Sequence, residues 1–198
     1  DISNILRSGA DKVCINTAAI KDPSLISKAS KVFGVSTIVV GIEAILQENG
    51  EYIAFVDNGR NSTNKNALSW AKEAEDLGAG EILITSVDRE GTGKGYDSSL
   101  LKQILQEVSI PVIAHGGIGK KEDVLSMRKE SELSGVAISS ILHYYFIKSK
   151  RNLEGYEEEG NTEFLKSYRT MGNLSTSSIK DIKDLLSSNG FILRSVNE

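Results

Sequence analysis

The chain has 198 residues, 39% of them hydrophobic and 25% charged, with a formal net charge of -4. That mild acidity leaves out the basic stripe that attracts nucleic acid, and no apolar run approaches the roughly 20 residues a membrane-spanning helix needs. A single cysteine, Cys14, excludes an internal disulfide, and with no secretory pattern the expected compartment is the cytoplasm.

The chain opens on Asp1-Ile2-Ser3-Asn4 without a methionine, already inside an amphipathic helix with Ile2, Ile5 and Leu6 on one face. The expectation is that the natural N-terminus lies upstream. A first strand is predicted over Lys12 to Asn16, then a helix from Pro23 to Phe33 with Asp22 as N-cap, proline in its first turn and Gly34 at its C-cap. A second strand runs from Thr37 to Glu43. Between Glu43 and Asn61 a hairpin is expected at Tyr52 to Val56, flanked by the turn signals Glu48-Asn49-Gly50 and Asn58-Gly59. Alternation then resumes with a helix over Ala67 to Leu77, a strand over Glu81 to Val87, a helix over Ser98 to Val108 and a strand over Pro111 to His115. A helix over Glu122 to Glu132 and a strand over Gly135 to Ser140 follow, with a last helix over Ile179 to Ser188 before Gly190. Strand-helix alternation of this kind predicts an α/β fold with a parallel sheet.

The run from Gly78 to Asp97 is the most informative. Its apolar strand passes directly into Asp88-Arg89-Glu90-Gly91-Thr92-Gly93-Lys94-Gly95, a loop of charges, hydroxyls and glycines of the kind that lets backbone N–H groups approach an anion. Alternate residues on a strand face opposite ways. On the first strand Val13 and Ile15 belong against helices, so Lys12, Cys14 and Asn16 share the other face. The same parity groups Glu43, Thr85, His115 and Ser139 near the carboxyl ends of their strands, and Lys12 with Glu81 at the opposite ends. Asn16-Thr17, and Gly91 and Gly117 with Ser139-Ser140, offer N–H groups and hydroxyls of the kind an anion takes. The plainer reading is that Asn16-Thr17 caps a helix and the glycines turn the chain. No His/Cys cluster has metal spacing, the glycine run fits neither a Walker loop nor a dinucleotide fingerprint, and no cofactor is expected. A Cys-His nucleophile at Cys14 would lack a third orienting group.

Gly9-Ala10-Asp11-Lys12-Val13 with Ile15-Asn16-Thr17-Ala18-Ala19, then Gly78 through Asp97, Pro111-Val112-Ile113-Ala114-His115-Gly116-Gly117 and Ser140-Ile141-Leu142-His143 carry a resemblance. The chain resembles the cyclase subunit of imidazole glycerol phosphate synthase, of the histidine biosynthesis family. The resemblance implies a TIM barrel, (β/α)8, of which five strands would be the C-terminal part, forming a single partial-barrel domain over 1–198. It implies a carbon–nitrogen lyase that joins ammonia from a partner glutaminase to a phosphoribulosyl ribonucleotide, giving imidazole glycerol phosphate and an aminoimidazole carboxamide ribonucleotide. By the same resemblance Asn16 and Thr17 hold one substrate phosphate, and Glu90, Gly91, Gly116, Gly117, Ser139 and Ser140 surround the other. Thr85 lies near the reacting centre, Lys12 and Glu81 form part of an ammonia gate, and Asp11 faces the glutaminase. For Lys12 and Glu81 a purely structural ion pair is an equally good account, and for Asp11 a solvated aspartate.

Four departures stand out. The family's general acid and base are two aspartates, one on a barrel strand ahead of this sequence; the second position is Glu43 here. The extra methylene moves the carboxyl by roughly a bond length, and about 1 Å of misplacement costs on the order of 100-fold in rate, so Glu43→Asp is expected to raise turnover in the complete protein, and this segment alone to be inactive. Glu90 also replaces an aspartate. His115 stands where the family carries a small residue and reads as packed or solvent-facing. Residues 145–174 form an insertion, expected to be a solvated loop, with a lid or partner contact through Tyr145, Phe146, Phe164 and Tyr168 as the alternative. These departures leave room for two other functions: a cyclase-like paralogue passing ammonia to a sugar amidotransferase in surface-saccharide synthesis, and an inactive phosphate-binding scaffold that docks a glutaminase.

Overall fold

A computed structural model describes residues 1–149 and 174–194. Its strands are β1 (Val13–Ile15), β2 (Ile38–Leu46), β3 (Tyr52–Val56), β4 (Asn61–Asn66), β5 (Glu81–Ser86), β6 (Val112–His115) and β7 (Gly135–Ala137). The helices are α1 (Ile2–Arg7), α2 (Thr17–Lys21), α3 (Ser24–Phe33), α4 (Ala67–Asp76), α5 (Ser98–Glu107), α6 (Lys121–Glu130), α7 (Ser140–Ser149) and α8 (Ile179–Ser188). The chain divides into two compact units. The first holds Asp1–Asp88, Asp97–His115 and Ser131–Ala137; the second holds Arg89–Tyr96, Gly116–Glu130 and Ile138–Glu198.

Among the described residues all seven strands lie in the first unit. β1, β2, β5, β6 and β7 are parallel in that order, as the strand-helix alternation predicts. The register aligns branched residues in rows, Val40 with Ile82 and Val112, and Ile42 with Ile84 and Ala114. Each of these six is at most 2% exposed. They pack where parallel sheets carry their helices, with Trp70, Ala71 and Ala74 of α4 and Leu100, Leu101 and Ile104 of α5 also buried. On the opposite face Cys14 is exposed and Leu83 and Ile113 are half-buried, as parity requires.

The expected hairpin is larger than its turn signals indicate. β2 runs three residues past Glu43, and β3 folds back on that extension with Glu43 opposite Phe55 and Leu46 opposite Tyr52. β4, Asn-Ser-Thr-Asn-Lys-Asn, then pairs with β3. So polar a segment reads as loop, because the ladder here is made by backbone groups and the side chains contribute no apolar stripe. Asn66 closes it by accepting from Leu68 N and Ser69 N at the start of α4. The Tyr52 hydroxyl reaches both carboxylate oxygens of Asp97 at 3.0 Å, and Asp97 in turn caps α5 by accepting from Leu100 N.

Among the described residues, two helices were not in the predicted set. α2 is only five residues long, too short for a periodic signal, and α7 begins at Ser140, where the β-branched run had suggested strand. The last strand therefore ends at Ala137 and not at Ser140. Residues 145–149 of the expected insertion belong to α7, with Tyr145 and Phe146 exposed; 150–173, including Phe164 and Tyr168, fall outside the described residues. In the second unit α6 packs against α8, whose Ser178 and Asp181 form a capping box, and Lys129 Nζ donates to Asn189 Oδ1 at 3.0 Å.

Glu75 on α4 gathers the loop before β6. Its Oε1 accepts from Ser109 N, Ser109 Oγ and Ile110 N, while Oε2 lies 2.7 Å from Lys72 Nζ. Lys72 above all, then Ser109, favour the ionised form and pull the carboxyl down to about 2. A carboxylate held below its ordinary range stabilises the fold above that range and loses the contribution as protonation proceeds. Glu75→Gln is therefore expected to be less stable than wild type in urea at pH 7, with the gap closing as pH falls from about 4.5 toward 2.

Candidate functional site

In the first unit the carboxyl ends of β2, β5 and β6 bring three chemically active side chains into one row. Glu43 is the register partner of Thr85, and Thr85 of His115, so adjacent strands present a carboxylate, a hydroxyl and an imidazole on the same face. Thr85 Oγ1 and His115 Nδ1 lie 3.2 Å apart, a hydrogen bond whose donor is decided by the imidazole tautomer. Thr85 is 8% exposed; Glu43 and His115 are half-buried. His115 is thus neither packed in the core nor simply solvated. It is tied to the threonine that sequence reasoning had placed at the mouth. Glu43 Oε2 accepts from Gly59 N at 2.7 Å, so a backbone N–H from the turn between β3 and β4 fixes the carboxylate.

Asn16 and Thr17 follow β1, one strand away from Glu43. Asn16 occupies the N-cap position of α2 without a capping hydrogen bond from its side chain. Capping therefore does not account for the asparagine. Thr17 Oγ1 accepts from Asp57 N at 3.3 Å, which leaves its own proton for an anion. Gly41 on β2 makes the room: a Cβ there would meet Cys14 Sγ at 3.1 Å and Asn16 Cβ at 3.5 Å. At the opposite strand ends Lys12 Nζ sits 2.6 Å from Glu81 Oε1, with side-chain exposures of 44% and 16%. The pair forms as parity predicts, while Asp11 is a plain exposed residue.

The second unit holds the other group of candidates. Gly95 N donates to Gly117 O at 2.8 Å, and a Cβ on Gly117 would run into Gly95 O. A Cβ on Gly119 would likewise strike the Gly93 backbone. The loops 91–95 and 116–119 are therefore zipped backbone to backbone, burying Gly116 and Gly117, while Glu90 and Gly91 stay exposed. Ser139 O accepts from Leu142 N and His143 N and so starts α7, with Ser140 as its first residue. Ser175 N donates to Gly119 O, and Ser177 N to Ile141 O, so one segment touches both the glycine loop and the first turn of α7. The arrangement offers N–H groups and hydroxyls of the type an anion takes.

Sequence reasoning marked Asn58-Gly59 as a turn but not its engagement of Glu43 and Thr17. The only available signal was three consecutive turn-forming residues, Asp57-Asn58-Gly59, at a distance from both partners that no local pattern encodes. Gly93 and Gly119 were also missed as a pair, although each lies two residues from a glycine of the other contact. Among the described residues no group of His, Cys, Asp and Glu is arranged to hold a metal ion, and no helix is long and apolar enough to cross a membrane.

Comparison with known proteins gives a consistent result. Residues 1–148 match the model of a family described as Histidine biosynthesis protein. The imidazole glycerol phosphate synthase subunit HisF of Prochlorococcus marinus (strain AS9601) is 47% identical over 144 residues, covering 72% of this chain and 56% of that protein. The subunit HisF of Hydrogenobaculum sp. (strain Y04AAS1) is 46% identical over 161 residues, covering 81% and 64%. That of Endomicrobium trichonymphae is 51% identical over 144 residues, covering 73% and 55%. The matched segment thus spans less than two thirds of each relative's length.

The chain holds only two histidines, which makes the Thr85–His115 contact simple to test. Thr85→Val is expected to shift the imidazole proton resonances of His115 and leave those of His143 in place. Unmoved His115 resonances would show that the two groups do not interact in solution.

Proposed function

Because this chain belongs to the histidine biosynthesis protein family, we propose that it serves as the cyclase part of an imidazole glycerol phosphate synthase, working in the cytoplasm with a glutaminase partner. In this reading ammonia reacts with a phosphoribulosyl ribonucleotide to give imidazole glycerol phosphate and an aminoimidazole carboxamide ribonucleotide. The observation that carries it is the row of Glu43, Thr85 and His115 at adjacent strand ends, with Thr17 tied to the same turn as Glu43.

Ring closure and release of the second product both move protons, and Glu43 is the carboxylate suited to that work as general acid or base. Its partner would be the aspartate that the resemblance assigns to a barrel strand ahead of this sequence. Thr85 hydrogen-bonds near the reacting atoms. Asn16 and Thr17 take one phosphate; Glu90, Gly91, Gly116, Gly117, Ser139 and Ser140 surround the other, their N–H groups and hydroxyls donating to its oxygens. Lys12 and Glu81, at the far strand ends, act as the gate for ammonia, and exposed Asp11 faces the glutaminase. The 2.7 Å bond from Gly59 N to Glu43 Oε2 supports the other outcome for Glu43→Asp, an unchanged or lower rate, because it gives the longer side chain a donor at its own reach.

The test is ammonia-dependent turnover of the phosphoribulosyl substrate by this chain mixed with a family-type N-terminal half barrel that supplies the strand-one aspartate. Turnover is expected in the mixture and not from either part alone, and Glu43→Asp is expected to lower it by on the order of 10- to 100-fold. A folded, substrate-binding mixture without turnover would redirect the reading to an ammonia-passing paralogue or an inactive scaffold.

A further inference from the structure

The turn that joins β3 to β4 reaches two separate functional side chains. Arg60 N donates to Val56 O at 3.1 Å and closes the turn, and Asn61 Nδ2 holds Asp57 Oδ2 at 2.8 Å. Within it Asp57, Asn58 and Gly59 have φ of 57°, 60° and 71°, three successive left-handed residues. Residues with a Cβ disfavour this conformation, Asp and Asn less than others, and three in succession keep it best with support from outside. That support is visible: Asp57 N donates to Thr17 Oγ1, and Gly59 N donates to Glu43 Oε2. A third contact is steric. A Cβ on Gly59 would come within 2.8 Å of Val87 Cγ1, so the turn lies against the residue after β5 with no space for a side chain.

We infer that the Asp57–Arg60 turn is a positioning element that couples the Thr17 hydroxyl to the Glu43 carboxylate through its two N–H groups. The inference deepens the proposed function and rests on it for the identity of the ligand, a phosphate at Asn16-Thr17. Thr17 uses its oxygen to accept from Asp57, so its proton remains available to a phosphate oxygen, and an anion that orders this hydroxyl also holds the turn down. With the turn held, Gly59 keeps Glu43 in one orientation. The linkage is reciprocal: fixing Glu43 steadies Asp57 and hence Thr17. Release of either contact frees a short, strained segment and so loosens the other.

Residue-resolved amide exchange on this chain tests the coupling directly, with the Ile82 amide, bonded to Pro111 O inside the sheet, as the reference for global unfolding. Asp57 and Gly59 are expected to be protected in wild type. Glu43→Ala is expected to speed exchange at both by about tenfold or more, and Thr17→Val to do the same, while Glu43→Gln, which keeps an acceptor, preserves protection. Inorganic phosphate is expected to slow exchange at Gly59 in wild type and to have no such effect in Thr17→Val. Deprotection of Gly59 alone in Glu43→Ala, or free exchange of both amides in wild type, would overturn the coupling. Joint deprotection together with no phosphate binding would support the coupling and overturn the assignment of Asn16-Thr17 as the phosphate site.

Discussion

One edge of β2 serves two partners, and the site in the first unit depends on that division. β5 occupies the other edge along Val39 to Ala44, so β1 and β3 share what remains: β1 runs parallel to Ile38 through Val40, and β3 runs antiparallel to Glu43 through Leu46. The change of partner falls between Val40 and Glu43. Asn16 and Thr17, which follow β1, are therefore delivered next to the point where β3 and its turn begin to cover the same edge. A strand two residues shorter would end the antiparallel pairing almost as it starts, and the turn would lose the ladder that aims it at Glu43 and Thr17.

Much of this was legible because parallel strands write their environment into parity. Val13, Val40, Ile82, Ile84 and Val112 announce a covered face, and once that face is known Glu43, Thr85 and His115 fall on the other by counting. The Lys12–Glu81 pair followed from the same counting, since both stand at strand starts. Contacts whose partners are set by backbone geometry were illegible. Gly59 N meets Glu43 across 16 residues, just beyond the β2–β3 ladder, and Asp57 meets Thr17 across 40. Nothing in the side chains of Asp57 or Gly59 records either contact. β4 was hidden for the same reason, as a strand whose hydrogen bonds are ordinary but whose side chains are all polar.

His115 illustrates a different limit. Its residue type fits a packed, a solvated or a reactive role, and only the register decides among them by setting it beside Thr85. Glu43 is similar: sequence compares it with a shorter acid, while the Gly59 N–H at its tip is a contact that chain order does not reveal.

The zipped glycine loops of the second unit separate two reasons for a position to require glycine. Gly91 has open space around it and a φ of 71°, so the demand there is for a left-handed backbone, which asparagine or aspartate can also adopt. Gly119 has its missing side chain filled by the main chain of Gly93, so any other amino acid collides whatever conformation it prefers. Gly117 is bound by both demands, having a φ of 94° and Gly95 O in the place of a Cβ. A side chain is therefore sterically admissible at the first position and barred at the other two, although the loops look equally glycine-rich.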